Sequence, residues 1–315
     1  MKENFVDYDE KEKEQEPPKI KVIGIGQTGQ LLTDYFAEQI ENVEVFSLQC
    51  DKKLLENSKL DNEHKFLIGE EITEGLGTGG NPKIGERIAL SSENIIREVI
   101  KDADLVIVAA GYSGGLGSGA TPVLTKIAKE MGALSMVFAV MPAEIEGQRR
   151  NLIANERLQK LVDDNNTDSI LNVSRERFFE DMELDQSSFI DGFDMVNKEV
   201  VTGIKNIISL FREDGINKNF FENNGFIGMG FCGKKTDVNE AIMDTFDYPM
   251  LRGATKYAKK FLLDIKCGDN MLLKTILEIQ RIVLAQTDIS TKYVTIYQMD
   301  RSLSPDEFQI IYIAT

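Results

Sequence analysis

The chain has 315 residues, 42 % of them hydrophobic, and a formal net charge of −16, a length that fits about two domains with ordinary cores. So large an acidic excess repels phosphate backbones and anionic membranes at long range, which argues against a nucleic-acid surface or direct membrane contact. No apolar run approaches the about 20 residues of a membrane span, and the charged stretch from Met1 to Lys19 lacks a signal-peptide layout, so a cytoplasmic protein is expected.

Residues 1–19 hold seven acidic residues and four lysines and close on Pro17-Pro18-Lys19, the composition of a solvated, disordered tail. "IKVIGIG" (20–26) reads as a buried strand, followed by a helix over about 31–40 and a second strand, "VEVFSLQC" (43–50). A helix over 83–101 leads to the apolar strand "ADLVIVAAG" (103–111), and a helix over 121–131 stops at Gly132. The strand "ALSMVFAVMP" follows, then a helix over 147–162 and the strand "DSILNV". Continuous apolar strands alternating with helices predict a parallel sheet covered on both faces. From Phe193 to Phe211 the alternation breaks. Phe193, Val196, Val200, Ile204, Ile207 and Phe211 recur at helical spacing, so this stretch reads as a long amphipathic helix with Phe193 on its apolar stripe. Beyond it, strands over 260–267, 291–298 and 308–315 flank a helix over 270–287. The predicted fold is α/β: a parallel-sheet nucleotide-binding domain, a long central helix and a smaller α+β domain.

Cys50, Cys232 and Cys267 form no CxxC pair and read as small buried hydrophobes. His64, the only histidine, reads as solvated and rules out a multi-histidine metal site. Four glycine-rich stretches carry more information. Gly24-x-Gly26-x-x-Gly29 opens a helix after a strand, with Asp51 at the end of the next strand, the layout of a dinucleotide-binding fingerprint. "GMGFCGKKT" (228–236) mimics a P-loop but has Lys235 where magnesium needs Ser or Thr, so a bend between strand and loop is the better reading. "GYSGGLGSGATP" (111–122) sits between a strand and a helix. Backbone N–H groups at a helix N-terminus attract phosphate, and Gly114, Gly115, Gly117 and Gly119 would let that backbone wrap a phosphate chain, with Ser118 adding a hydroxyl. "GLGTGGNP" (75–82) should reach the same sheet edge. Several such loops at one edge suit a nucleoside triphosphate better than a dinucleotide.

"GYSGGLGSGATPV", "GLGTGGNPKIG" and "EGQRR" (146–150) together resemble the tubulin/FtsZ superfamily, on its FtsZ side, over roughly residues 20 to 315. The resemblance implies a protein that binds GTP or GDP, with magnesium carried by the nucleotide and not by protein side chains. It implies head-to-tail self-assembly, in which a loop after the central helix completes the next subunit's site. Carried over, Gly26, Gln27, Thr28, Gly29 and Gln30 form the first phosphate loop, with Asp51 closing the second strand. Gly79, Gly80 and Asn81 lie near the terminal phosphate, and Gly114, Gly115, Leu116, Gly117, Ser118 and Gly119 form the signature. Glu146 would meet the ribose and Arg150 the phosphates. Arg175 stands where an asparagine helps hold the base. Ile190 and Met195 align with a stacking phenylalanine and a base-reading aspartate, with Asp194 one residue away. The implied division is an acidic tail (1–19), a GTP-binding domain (20–192), the central helix (193–211), a catalytic, synergy-type loop (212–224) and a C-terminal domain (225–315).

The departures are chemical. In "NKNFFENNG" (217–225), Asn219 and Glu222 replace the two aspartates that position the attacking water, and several residues of the following helix are missing. Losing such a group costs orders of magnitude in rate, so weak or absent hydrolysis is expected. The chain closes on "FQIIYIAT"; read as a whole protein, without the linker and peptide that usually follow, it would be a divergent paralogue. Two alternatives stay open at this point. One is a nucleotide-binding pseudo-GTPase that caps or co-assembles with another member of the family, and the other is an NAD-dependent oxidoreductase.

Overall fold

A computed structural model describes residues 17–37, 43–181, 189–213, 225–247, 260–285, 292–301 and 303–314. In chain order the strands are β1 (Ile20–Ile25), β2 (Glu44–Gln49), β3 (Lys65–Leu67), β4 (Leu105–Gly111), β5 (Leu134–Met141), β6 (Ser169–Ser174), β7 (Gly225–Lys235), β8 (Lys260–Cys267), β9 (Lys292–Met299) and β10 (Phe308–Ala314). The α-helices are α1 (Gly26–Ala37), α2 (Lys52–Glu56), α3 (Glu70–Thr73), α4 (Pro82–Ser91), α5 (Glu93–Ile100), α6 (Gly115–Glu130), α7 (Gln148–Asp163), α8 (Arg175–Asp181), α9 (Phe189–Glu213), α10 (Val238–Asp247) and α11 (Leu273–Ala285).

The strands form one sheet in the order β3-β2-β1-β4-β5-β6-β7-β10-β8-β9. β1 to β6 run parallel. Every residue of β1, β4 and β5 is buried, as continuous apolar strands under helices on both faces require. β7 joins the halves: it runs parallel to β6 over Gly225 to Ile227, then antiparallel to β10 as far as Lys235. β10 is also antiparallel to β8, and β8 pairs with β9 in parallel.

The α9 stripe works as its spacing predicts for Val196, Val200, Ile204 and Ile207, all fully buried. They share one apolar cluster with Phe36 of α1, Met229 of β7 and Ile311 and Ile313 of β10, so α9 is packed against both halves of the sheet. Each such fully buried side chain contributes about 1.5–3 kcal/mol of transfer free energy. Phe193 departs from the prediction: it is only half-buried and turns toward a cleft instead of the core.

Other boundaries moved for local reasons. The predicted helix over 83–101 is two helices, broken at Ser92, whose φ of −102° and ψ of 19° are not helical. The helices expected from 31 and 121 begin at Gly26 and Gly115, because the glycines themselves form the first turns. "GMGFCGKKT" is not a P-loop: Gly228 through Lys235 lie in strand β7, paired with β10, and the bend comes only at Thr236. His64 is not simply solvated: its Nδ1 lies 2.9 Å from the Val45 carbonyl oxygen, and its ring stacks on Phe46. Cys50 and Cys267 are buried free thiols, as expected. No helix among the described residues is long and apolar enough to cross a membrane.

Candidate nucleotide cleft

The strand order reverses direction between β1 and β4, and ligands bind in such a crevice at the carboxyl ends of the strands. Here β1 runs into α1 through Gly26, and β4 runs into α6 through residues 112–114. The two junctions touch. A Cβ built on Gly26, whose φ is +70°, would lie 3.3 Å from the Gly117 nitrogen, and one on Gly117 would lie 2.6 Å from the Gly111 carbonyl oxygen. Side chains are excluded because backbone fills that space.

The loop 75–80 closes the same edge. Lys52 donates its N–H to the Gly75 carbonyl at 3.0 Å and Gly77 donates to the Cys50 carbonyl at 3.2 Å, tying the loop to the end of β2. Together these segments and the start of α7 bound a cavity of about 660 Å³. It is lined by Gly26 to Thr28, Gly77 to Gly80, Ser113 to Gly117, and side chains of α7, α8 and α9. The N-cap of α6, Gly114, brings no side-chain cap, so the N–H groups of the first turn from Gly115 are left for a ligand. Among the described residues, three arginines line the cavity (Arg149, Arg150 and Arg175) against two acids, Asp51 and Glu146. That is a local positive excess within a chain of net charge −16.

Of the residues expected at the site, Gly26, Gln27, Thr28, Asp51, Gly79, Gly80, Gly114, Gly115, Leu116, Gly117, Glu146, Arg150 and Arg175 line this cavity. Gly29, Gln30, Asn81, Ser118, Gly119 and Asp194 do not. Gly29 and Gly119 are packing glycines. A Cβ on Gly29 would meet the Ala109 carbonyl oxygen at 2.4 Å, and one on Gly119 the Pro82 carbonyl oxygen at 2.2 Å, where α4 crosses α6. Gln30 is buried and donates to the Leu54 carbonyl at 2.7 Å. Asn81 caps α4 by accepting from the Lys83 N–H at 3.0 Å, and the Ser118 hydroxyl donates to the Gly114 carbonyl at 2.5 Å. Asn219 and Glu222 lie outside the described residues, and so does the Ile190 side chain.

Sequence reasoning missed the way the far end of the cavity is built. Glu146 holds two arginines: its Oε1 accepts from Arg175 Nη1 at 3.0 Å and its Oε2 from Arg150 Nη1 at 3.2 Å. Oε1 also accepts the Ala143 N–H at 3.1 Å. Arg175 lies over the Phe193 ring, 4.8 Å from its centroid, and burial lowers its pKa against the opposing pull of Glu146. Asp51 Oδ1 accepts from the Leu54 N–H at 3.1 Å and so caps α2. Burial, and then the neighbouring Asp51 charge, push the Cys50 thiol at the cavity wall up to about 11.

Residues 19–183 match the model of the Tubulin/FtsZ family GTPase domain, just over half of the chain. The chain belongs to the Tubulin/FtsZ family. Over 303 residues it is 30 % identical to cell division protein FtsZ 1 of Methanocaldococcus jannaschii, covering 92 % of this chain and 81 % of that protein. It is 32 % identical over 265 residues to cell division protein FtsZ of Aquifex aeolicus, covering 81 % and 71 % respectively. Its structure superposes on the empty FtsZ dimer of M. jannaschii with a TM-score of 0.83 at 27 % identity, over 96 % of this chain and 89 % of that one. The GDP-bound CetZ1 monomer of Haloferax volcanii shares the fold, with a TM-score of 0.77 at 20 % identity over 94 % and 92 % of the two chains. The FtsZ-like fold expected from the sequence is therefore present, and the dinucleotide-oxidoreductase alternative loses its support.

Proposed function

We propose that this FtsZ-like cytoskeletal protein binds GTP or GDP in the cleft at the β1/β4 switch point and assembles head to tail into filaments in the cytoplasm. The observation that carries the reading is the convergence of three glycine loops and an uncapped helix N-terminus on one cavity of about 660 Å³. Amides of Gly26 to Thr28 and Gly114 to Gly117 would hold the phosphates, with Arg149 and Arg150 adding positive charge at the wall. Magnesium, where present, would ride on the phosphates. Among the described residues no group of three His, Cys, Asp or Glu side chains offers a separate cation site. Self-assembly is supported by relatives that are cell division proteins and by the dimer in which one of them was solved.

Hydrolysis is proposed to be weak, and its support is sequence alone: Asn219 and Glu222 stand where two water-positioning aspartates are expected. The expected result is GTP-dependent light scattering with little phosphate release. Brisk release at any protein concentration would refute the slow-turnover half, and scattering unaffected by GTP would refute the assembly half. The same substitutions favour one other reading, a cap that co-assembles with another member of the family. Sedimentation with GTP separates the two, because pelleting of the protein alone counts against the cap.

A further inference from the structure

The far end of the cleft raises a question of recognition that rests on the nucleotide reading above: what there could tell one base from another? A carboxylate accepting from the N–H edge of guanine is one solution, and Asp194 was the candidate for it. Asp194 does not line the cavity, and of the two acids that do among the described residues, Asp51 sits at the 77–80 loop with one oxygen in use and Glu146 has both oxygens in use. Asp51 caps α2 beside Gly77, and both oxygens of Glu146 are held by arginines.

What remains is a cation. Arg175 is 5 % exposed and lines the cavity, yet its Nε–H has no acceptor among the described residues. Among the same residues its Nη2 reaches Thr28 Oγ1 alone, at a long 3.4 Å. A buried N–H without a partner is costly, so this guanidinium favours any ligand that brings acceptors to it. Its flat face is fixed over Phe193 and one nitrogen is anchored by Glu146, which limits the directions in which the rest of the fork can donate. A 6-oxopurine presents two adjacent acceptors, O6 and N7, that match a guanidinium fork, whereas adenine puts a donor at that edge. We propose that Arg175 is the base-selecting residue, and that it takes 6-oxopurine nucleotides by their O6/N7 edge, not by the N1/N2 edge a carboxylate would read.

The two modes are separable with base analogues on the unmodified full chain. Binding of GTP, ITP, 7-deaza-GTP and ATP is measured by calorimetry. The expected pattern is ITP within a few fold of GTP, because the missing 2-amino group is not read. 7-Deaza-GTP, which lacks the N7 acceptor, should weaken by about tenfold, and ATP by about tenfold or more. Arg175→Met should bring GTP and ATP to similar affinity, and Arg175→Lys, which keeps the charge but loses the fork, should lose the N7 dependence. Should either variant fail to fold, the analogue series on the native chain still decides. Strong loss of ITP with 7-deaza-GTP unaffected overturns the inference while leaving nucleotide binding intact, and so does equal binding of GTP and ATP. Absence of binding by all four nucleotides overturns the proposed function and this inference with it.

Discussion

At one end of the cleft the chain offers backbone, and at the other it offers side chains. Gly26, Gly79, Gly80, Gly114, Gly115 and Gly117 bring amides to the near end, held there by the ends of β1, β2 and β4. Arg175, Glu146, Arg150 and Phe193 build the far end from three different helices and a short 3-10 turn, Glu144–Glu146. Peptide groups are the same whatever the residue, so a phosphate cradle survives sequence change as long as nothing larger than hydrogen intrudes. A side-chain cluster has no such protection, because each member is held by the others. The near end should therefore break through volume and the far end through charge.

Charge should give the larger effect. Glu146 and Arg175 have side-chain exposures of only 8 % and 7 %. Removing one partner of a buried pair leaves the other charge uncompensated, a loss of about 3–5 kcal/mol. Glu146→Leu should lower unfolding stability by that amount in urea, with little dependence on salt, since a buried pair is weakly screened. A loss under 1 kcal/mol would mean that Arg175 finds a new partner readily, and the far end would then be less interdependent than described.

Volume should come next, and it can be tested away from the ligand. Gly119 does not line the cavity, but an added Cβ would sit 2.2 Å from the Pro82 carbonyl oxygen. Gly119→Ala must push α4 from α6, at about 1–3 kcal/mol. Nucleotide affinity of the folded protein should change little. A large loss of affinity at unchanged stability would show that this glycine serves the ligand after all.

The same contrast explains what could be read in advance. Glycine runs at strand-to-helix junctions are local signals, so the three loops and their common edge were legible from 24–29, 75–82 and 111–122. The finer division was not. Which glycines face a ligand and which face a crossing helix depends on where α4 lies, and no spacing within 111–122 encodes that. Phe193 was assigned to the core because it continues the period of Val196 and Val200, but α9 projects past the core at its start and presents the ring to the cleft. The Glu146–Arg175 pair joins residues 29 apart in the chain, a tertiary fact with no sequence period. β7 was missed for the opposite reason, since Gly225, Gly228 and Gly230 resemble a loop until β6 and β10 satisfy their backbone.

Gly79 should give the smallest change in stability and tests whether the near end is only a matter of room. Its φ is +59° and nothing lies within 4 Å of an added Cβ, so Gly79→Ala meets no steric obstacle. Two opposing terms remain. The left-handed backbone disfavours Ala by roughly 1–2 kcal/mol, while the lost flexibility of the unfolded chain returns about 0.4–1 kcal/mol. The net destabilisation should be near 1 kcal/mol or less, and it falls on an exposed loop that can relax by leaving its present path. A loop that relaxes away carries its amides with it, so GTP affinity should fall by several fold although global unfolding barely moves. Unchanged affinity would mean that the 77–80 loop only borders the cavity, leaving the near end to α1 and α6 alone.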